Sequence, residues 1–281
     1  MAVSRNERAR GMNQAGSPGL RLTSLHLYPI KSAAGLAPEE WELDNFGLRY
    51  DRRWMVVDAA GRLITQRTHP RLALVRPTVG DGTLRVETSG MPVLELPLAP
   101  GASVTTTAVV WDDACAAVWT GERAARWFSD LLDTHCSLVY MPESTVRPAD
   151  PAYAPADTRV SFADAFPFLL ISEESLAELN GRLPSPVPMN RFRPNLVIAG
   201  GEPYGEDRMP AFGIGPLRFR VVKPCDRCVL TTVDQATGRS GGPEPLRTLS
   251  GYRKRDGKVL FGQNVVHDRP GRLHVGAPLQ V

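Results

Sequence analysis

Two cysteines, Cys225 and Cys228, stand three positions apart in segment 223–228, together with the cations Lys223 and Arg227. Nearby positive charge stabilises a thiolate and lowers a cysteine pKa, and thiolates are soft ligands for transition metals. Three functional interpretations follow: half of a zinc site, a redox dithiol, or a thiolate presented to the metal of a cofactor. A structural interpretation competes with them, because free cysteine is among the most buried residue types.

The rest of the sequence weakens two of these interpretations. Structural zinc usually takes four protein ligands, but the remaining cysteines, Cys115 and Cys136, lie far upstream, and no His-x-x-x-His follows. A thioredoxin-like dithiol begins a helix, whereas the β-branched residues of 229–233 predict a strand. The metal–thiolate interpretation remains, and this segment does not establish it alone.

Three other segments place cations or polar groups at predicted loop-to-strand junctions. Lys31 and Ser32 lie on a glycine-containing loop, Arg52 precedes one strand, and Arg193 with Asn195 precedes another. A lysine and a hydroxyl on such a loop can bind a phosphate group. Each segment taken alone is equally consistent with a solvated or capped loop.

Composition limits the class of protein. The 281 residues, 42% hydrophobic and 22% charged, suggest about two domains. A net charge of +3 is too small to indicate a nucleic-acid partner, and no window approaches the ~20 apolar residues of a membrane span. With no secretory signal and only four cysteines, we expect a cytoplasmic protein with reduced thiols.

Short strands separated by glycine and proline turns are predicted over most of residues 20–141, with one amphipathic helix at 121–132 and a strand at 137–141. The prolines of 142–158 predict a linker or surface loop. In the second half we expect a strand at 168–172, a helix from Ser172 to about Arg182 with an acidic first turn, and a short helix at 245–253. Strands are predicted at 212–222, 259–266 and 271–276.

With these segments in order, the chain resembles the MOSC family of molybdenum-cofactor proteins, and within it the branch of the mitochondrial amidoxime-reducing component and its bacterial relatives. The resemblance covers residues 20–281 and rests on segments 28–32, 51–54, 192–195, 225–234, 245–249 and 260–263. It implies an α+β, β-rich fold. After a disordered tail (1–19), a MOSC amino-terminal β-barrel-like domain (20–141) precedes a MOSC β-barrel domain with surface helices (142–281), and the cofactor lies between the two domains.

The resemblance also implies roles for individual residues. Cys228 would ligate molybdenum and be the catalytic residue, while Cys225 would be structural. The molybdenum cofactor, a pterin dithiolene with a terminal phosphate, would be bound by residues of both halves: Lys31, Ser32, Arg52, Asp164, Ala165, Phe166, Arg193, Asn195, Arg227 and Gln263. Ala165 and Phe166 stand where relatives carry small hydroxyl residues, so contacts there would use backbone N–H groups.

The implied activity is a two-electron reduction, at molybdenum, of small N-hydroxylated compounds of the hydroxylamine or amidoxime type, or of related N- or S-oxides. The alternative is a cofactor carrier or a sulfur-transfer protein that uses the same cysteine. The sequence has no C-x₄-C-x₂-C spacing for an iron–sulfur cluster, no G-x-G-x-x-G dinucleotide motif and no recognisable pyridoxal phosphate domain. Electrons are therefore expected from a separate flavoprotein, ferredoxin or haem protein.

Overall fold

The computed structural model describes residues 19–100 and 104–281; apart from Gly19, the tail predicted for 1–19 lies outside the described residues. The strands are β1 (Arg21–Leu25), β2 (Glu40–Asp44), β3 (Gly47–Leu48), β4 (Trp54–Val57), β5 (Arg76–Gly80), β6 (Thr83–Glu87), β7 (Leu94–Pro97), β8 (Thr105–Val110), β9 (Asp113–Trp119), β10 (Ser137–Tyr140), β11 (Phe168–Ser172), β12 (Leu196–Ala199), β13 (Ala211–Ile214), β14 (Leu217–Asp226), β15 (Val233–Asp234), β16 (Arg239–Ser240), β17 (Lys254–Arg255), β18 (Lys258–His267), β19 (Gly271–His274) and β20 (Leu279–Gln280). The helices are α1 (Glu122–Leu132), α2 (Glu173–Arg182) and α3 (Leu246–Ser250), with 3₁₀ turns at Pro70–Leu74, Met189–Arg191, Gly205–Arg208 and Val229–Thr232.

A barrel forms from the carboxy-terminal half of the chain and its first strand. Its strands are hydrogen-bonded in the order β1-β12-β11-β18-β14-β13-β20. Backbone bonds from Leu22 N to Ala277 O (2.9 Å) and from Leu279 N to Leu20 O (2.8 Å) join the last strand to the first. The apolar side chains of these strands, Leu25, Phe168 and Phe219 among them, fill one buried cluster. The first strand of the sequence thus completes the second half of the fold.

The amino-terminal half builds two further sheets, β4-β10-β9-β8 and β5-β6-β7, and β2 and β3 pair with β19 in a third. Helix α1 lies over this half and buries Ala124, Trp127, Phe128, Leu131 and Leu132, the apolar face that the sequence predicted. These side chains share a core with the fully buried Trp54 of β4. In the described part of the chain, no helix is both long enough and apolar enough to span a membrane.

The predicted α+β, β-rich class is confirmed, and so are the three helices. Helix α2 begins after Ser172, whose hydroxyl accepts a hydrogen bond from Ser175 N at 3.1 Å, the capping interaction expected for serine before a helix. Glu173 and Glu174 occupy its first turn.

Segment 142–158 is more than the surface linker that its prolines predicted. Arg147 is buried, and its guanidinium donates to the carbonyls of Ser161 (2.8 Å), Ala163 (2.7 Å) and Asp164 (3.2 Å). Its Nε also donates to a carboxylate oxygen of Asp113 at 2.9 Å. A proline-rich segment can pack inside when a buried cation satisfies several carbonyls at once. Arg147 thereby fixes the loop that leads into β11.

The strand predicted at 229–233 is wrong. Val229–Thr232 forms a 3₁₀ turn, and only Val233 and Asp234 are extended. The hydroxyls of Thr231 and Thr232 donate to the carbonyls of Cys228 (3.0 Å) and Val229 (2.8 Å), and such local bonds compete with strand formation. A strand therefore does not exclude a redox dithiol at Cys225 and Cys228, although the turn found in place of the strand is only four residues long.

Candidate cofactor site

A cavity of about 280 Å³ lies between the amino-terminal half and the barrel. Loops from both halves line it, each at the end or the entrance of a strand, as the sequence predicted. Of the residues proposed from the sequence, those in the lining are Lys31, Ser32, Arg52, Asp164, Ala165, Phe166, Arg193, Asn195, Arg227 and Cys228. Residues that are far apart in the chain therefore meet around one space.

Gln263 does not line this cavity. Its side chain is buried, and its Nε2 donates to an oxygen of Asp207 at 2.6 Å. The next residue of β18, Asn264, lines the cavity instead. Successive side chains of a strand point to opposite faces, which explains why the neighbour of a predicted contact faces the space. The structure gives no support for Gln263 as a cofactor contact.

Lys31 and Asp164 form an ion pair across the two halves of the chain. The Lys31 ammonium is buried and donates to Asp164 Oδ1 at 2.6 Å and to the Phe162 carbonyl at 2.7 Å. Burial lowers the pKa of Lys31, and Asp164 opposes that shift. Desolvation disfavours the Asp164 carboxylate, but the charge of Lys31 and its hydrogen bond prevail and hold the pKa of Asp164 well below its usual range.

We expect this pair to make a small pH-dependent contribution to stability, because the Asp164 side chain is 66% exposed and solvent screens the ion pair. Because the pKa of folded Asp164 lies below that of the unfolded chain, its contribution is present above about pH 4 and is lost as the pH falls towards the folded pKa. We expect Asp164→Asn to lower the free energy of unfolding most at pH 6 to 7, with the difference from wild type shrinking below about pH 4. Urea unfolding across this range measures it. A difference that stays constant with pH would contradict the assignment.

Arg52 and Arg193 enclose the ring of Tyr28. Their guanidinium carbons lie 4.4 and 4.1 Å from the ring centroid. Arg193 Nη1 donates to the Ala33 carbonyl at 2.6 Å, but its Nη2 is buried and has no partner in the part of the chain that the structure describes. Burial lowers the pKa of Arg193 to about 10, so the side chain remains charged at neutral pH. An uncompensated buried N–H is costly, and here it belongs to a cation that lines the cavity.

Asn195 positions Arg52. Its Oδ1 accepts from Arg52 Nη1 at 2.9 Å and from Leu169 N at 3.2 Å, and its Nδ2 donates to the His26 carbonyl at 3.1 Å. Arg52 also pairs with the buried Asp51. The amide of Asn195 is thus engaged by the protein, and the arginine that it holds is the group available to a ligand.

Three of the predicted site residues have a left-handed backbone. The φ angles are 68° at Ser32, 48° at Arg52 and 56° at Arg193. Non-glycine residues adopt this conformation uncommonly, and such strain tends to occur at functional sites because the surrounding structure must enforce it. The loops are therefore held in conformations that bring these side chains to the cavity.

The two cysteines have different environments. Cys225 lies in β14 against the apolar cluster of Phe192, and it accepts a contact from Arg227 Nη1 at 2.9 Å. Burial raises the pKa of the Cys225 thiol although Arg227 opposes the shift, so the lowered pKa predicted from flanking cations is wrong for this cysteine. The other flanking cation, Lys223, lies over the Tyr153 ring at 4.3 Å.

Cys228 lies just before the Val229–Thr232 turn and is half-buried at the cavity. Its Sγ accepts a contact from Arg67 Nη2 at 3.0 Å. The cation beside this sulfur thus comes from the amino-terminal half, 161 positions away in sequence, and not from segment 223–228. A thiol beside a guanidinium is suited to act as a thiolate ligand.

Sequence reasoning missed Arg67 and Trp111. Both line the cavity, and the Arg67 guanidinium carbon lies 4.2 Å from the Trp111 ring centroid. The Trp111 indole N–H donates to Asp164 Oδ1 at 3.1 Å. The sequence offered one signal for Trp111, a large aromatic residue directly before the acidic pair Asp112-Asp113.

These residues fit an anionic cofactor with a polar edge. Within the described residues, the buried N–H groups of Arg193 (Nη2) and Arg227 (Nε) have no partner. Both residues line a cavity that also contains the thiols of Cys225 and Cys228. Cations with free donors suit a phosphate, and a thiolate suits a soft metal. In residues 19–100 and 104–281, no three His, Cys, Asp or Glu side chains are placed to bind a metal ion together.

The fold and the site define a β-barrel protein built from two parts, with two cysteines and several buried cations around the cavity between them. Comparison with family models agrees: residues 19–135 match the MOSC N-terminal beta barrel domain, and residues 157–280 match the MOSC domain. The chain belongs to the MOSC family.

Named relatives fall into two groups. The chain is 38% identical to mitochondrial amidoxime-reducing component 1 of Mus musculus, over 98% of this chain and 85% of that protein. It is 36% identical to the Homo sapiens protein of the same name, over 97% and 85%. It is also 33% identical to a molybdenum cofactor sulfurase of Oryza sativa, over 89% of this chain but only 33% of that longer protein.

Proposed function

We propose that this protein binds the molybdenum cofactor and reduces small N-hydroxylated compounds of the hydroxylamine or amidoxime type, or related N- or S-oxides. The observation that carries the proposal is the convergence of Cys228 with buried cations of both halves on one cavity. The names of the relatives, amidoxime-reducing components and molybdenum cofactor sulfurases, support a function connected with this cofactor.

In this proposal Cys228 is the metal ligand, and Lys31, Ser32, Arg52 and Arg193 bind the cofactor phosphate. Arg227 and the backbone of 164–166 contact the pterin, where Ala165 and Phe166 offer no side-chain donor. Asn195 acts through Arg52, which it holds in place. When bound, the cofactor supplies the two-electron chemistry.

The side chains of this protein set the conditions for that chemistry. Arg67 places positive charge beside the Cys228 sulfur at 3.0 Å. The Lys31–Asp164 pair joins the two halves at the cavity, and Arg147 fixes the loop that carries Asp164. The overall reaction breaks the N–O bond, consumes two electrons and two protons, and yields an amine or amidine and water.

We further propose that electrons come from a separate protein, a flavoprotein, ferredoxin or haem protein, because the sequence has neither a dinucleotide motif nor an iron–sulfur spacing. Redox encounters of this kind use small interfaces. Cytoplasmic localisation stays a prediction.

Turnover tests both the activity and the electron source. Molybdenum-loaded protein is expected to reduce a hydroxylamine with reduced viologen as electron donor, and to be inactive with NADH or NADPH alone. Amine formation measured by chromatography reports the result, and protein prepared without molybdenum is the control. Steady turnover with NADH and no added protein would contradict the proposed electron source.

The relation to molybdenum cofactor sulfurases favours a second candidate, transfer of sulfur or cofactor through Cys228. A carrier would hold the cofactor in the same cavity but would not turn over a hydroxylamine. A sulfur-transfer protein would take the outer sulfur of a donor persulfide onto the Cys228 thiolate and release the donor thiol. Mass spectrometry of protein treated with such a donor would detect the resulting persulfide on Cys228. Absence of turnover together with such a persulfide would favour this candidate over the reductase.

A further inference from the structure

Exposed apolar side chains lie in the lining of the cavity or directly beside lining residues, and we call this exposed part of the lining the opening. Trp111, in the turn between β8 and β9, is 40% exposed and lines the cavity. Val229, which directly follows Cys228, is 51% exposed. Tyr153 is 43% exposed and packs edge-on against Phe166, a lining residue, with ring centroids 6.4 Å apart. Large exposed apolar side chains that cluster at a cavity indicate a binding surface for an apolar group.

Trp111 is held in place at this opening. Its backbone is left-handed, with φ at 57°. Its indole N–H donates to Asp164 at 3.1 Å, and Arg67 lies over its ring at 4.2 Å. Lys31 lies 5.8 Å from the same ring. Trp111 is half-exposed and has a strained backbone, yet three charged side chains fix its position. Neither solubility nor core packing requires these contacts.

Arg67 joins this surface to the reacting centre. Its side chain is exposed, and one of its nitrogens reaches Cys228 Sγ at 3.0 Å. Among the described residues it forms no ion pair. A guanidinium carries five donors, so Arg67 can contact the sulfur and still donate to an oxygen of a molecule entering beside it.

We propose that Trp111 and Arg67 recognise the substrate: the indole packs against its planar apolar part, and the guanidinium donates a hydrogen bond to its nitrogen-bound oxygen. This inference rests on the proposed reductase function and specifies its substrate class. The pair selects neutral N-hydroxylated compounds that carry an aromatic or other flat apolar group. Cationic compounds are disfavoured, because they meet the charge of Arg67 while Asp164, the carboxylate beside the indole, is already paired with Lys31.

Binding and turnover by three variants test the proposal. The variants are Trp111→Leu, Trp111→Phe and Arg67→Gln, with Arg71→Gln as a matched control because Arg71 is exposed nearby and does not line the cavity. The probes are an aryl amidoxime, a small alkyl amidoxime and a cationic aryl hydroxyguanidine. Molybdenum content is measured first, and probe binding to the oxidised, loaded protein is followed by calorimetry without any electron donor.

Trp111→Leu is expected to weaken binding of the aryl amidoxime and to raise its KM about fivefold, with kcat and molybdenum content unchanged, because a good aromatic contact contributes about 1 kcal/mol beyond its buried area. The alkyl probe should change less, and Trp111→Phe should restore most of the loss. Arg67→Gln should narrow the discrimination between the neutral and the cationic aryl probes. Equal changes for aryl and alkyl probes, or unchanged aryl binding in Trp111→Leu, would overturn the proposal.

Calorimetry separates this inference from the reductase function. If wild-type protein binds the aryl amidoxime through Trp111 but does not turn it over, the recognition surface stands and the reductase function fails. If wild-type protein turns over all probes and Trp111→Leu behaves like Arg71→Gln, the reductase function stands and the recognition surface fails. If wild-type protein neither binds nor reduces the aryl probe, both fail.

Discussion

Cys228→Ala is expected to abolish molybdenum binding and reductase activity together. The thiol lies at the cavity with Arg67 beside its sulfur, and alanine offers no metal ligand. Since a metal–thiolate bond cannot be replaced by neighbouring contacts, we expect molybdenum content near background and a loss of turnover of at least about a thousandfold, the equivalent of about 4 kcal/mol. Metal analysis and the viologen-driven assay measure the two losses separately.

Cys225→Ala is the matched control. It removes a thiol from the same segment, but that thiol packs against apolar side chains and has a raised pKa. We expect most of the molybdenum and activity to remain, with stability lowered by no more than a small core truncation would lower it. Equal loss in both variants would point back to a zinc site or a redox dithiol.

Arg193→Gln is expected to weaken cofactor binding strongly without destabilising the empty protein. Losing a charge-assisted contact costs about 1.5–3 kcal/mol, so the dissociation constant of the cofactor should rise about tenfold to a hundredfold. Without the cofactor, one buried N–H of Arg193 has no partner among the described residues. Glutamine can still donate to the Ala33 carbonyl that Arg193 contacts. The melting temperature of cofactor-free protein should therefore stay the same or rise.

Cofactor retention after dialysis and thermal unfolding measure these two effects, with Arg85→Gln as the control. Arg85 is an exposed arginine of β6 that pairs only with Glu87 and Glu95 among the described residues, so neither effect is expected there. Arg193→Gln protein that retains full cofactor, or cofactor-free protein that melts well below wild type, would show that Arg193 serves the fold and not the ligand.

The residues that line the cavity could be predicted where short segments of the sequence resemble those of the MOSC family. Lys31 stands on a glycine-containing loop, and Arg52 and Arg193 each stand before a strand. In each case the type of residue signals the chemistry. What each side chain contacts was not predictable. Asn195, expected to touch the cofactor, lines the cavity, but its hydrogen bond to Arg52 was not foreseen. Gln263 lies on the face of β18 opposite to the one that Asn264 presents.

Long-range pairing explains the remaining differences. β1 completes the barrel of the second half by hydrogen-bonding to β12, and no local pattern encodes a partner so far away. The cation beside the Cys228 sulfur is Arg67 of the amino-terminal half. The cations within segment 223–228 had suggested a local partner instead. Val229–Thr232 contains β-prone residues but forms a 3₁₀ turn, because two threonine hydroxyls donate to backbone carbonyls within it. β propensity reflects how side chains pack on a sheet and takes no account of these hydrogen bonds.

Metal and pterin analysis of protein purified from a host that makes the molybdenum cofactor tests the central claim most directly. The wild-type chain should contain molybdenum and pterin in equal amounts, stoichiometric with protein, and Cys228→Ala from the same host should contain neither metal nor turnover. Wild-type protein that carries zinc, or that carries neither molybdenum nor pterin although other molybdenum enzymes of the host are loaded, would contradict the account.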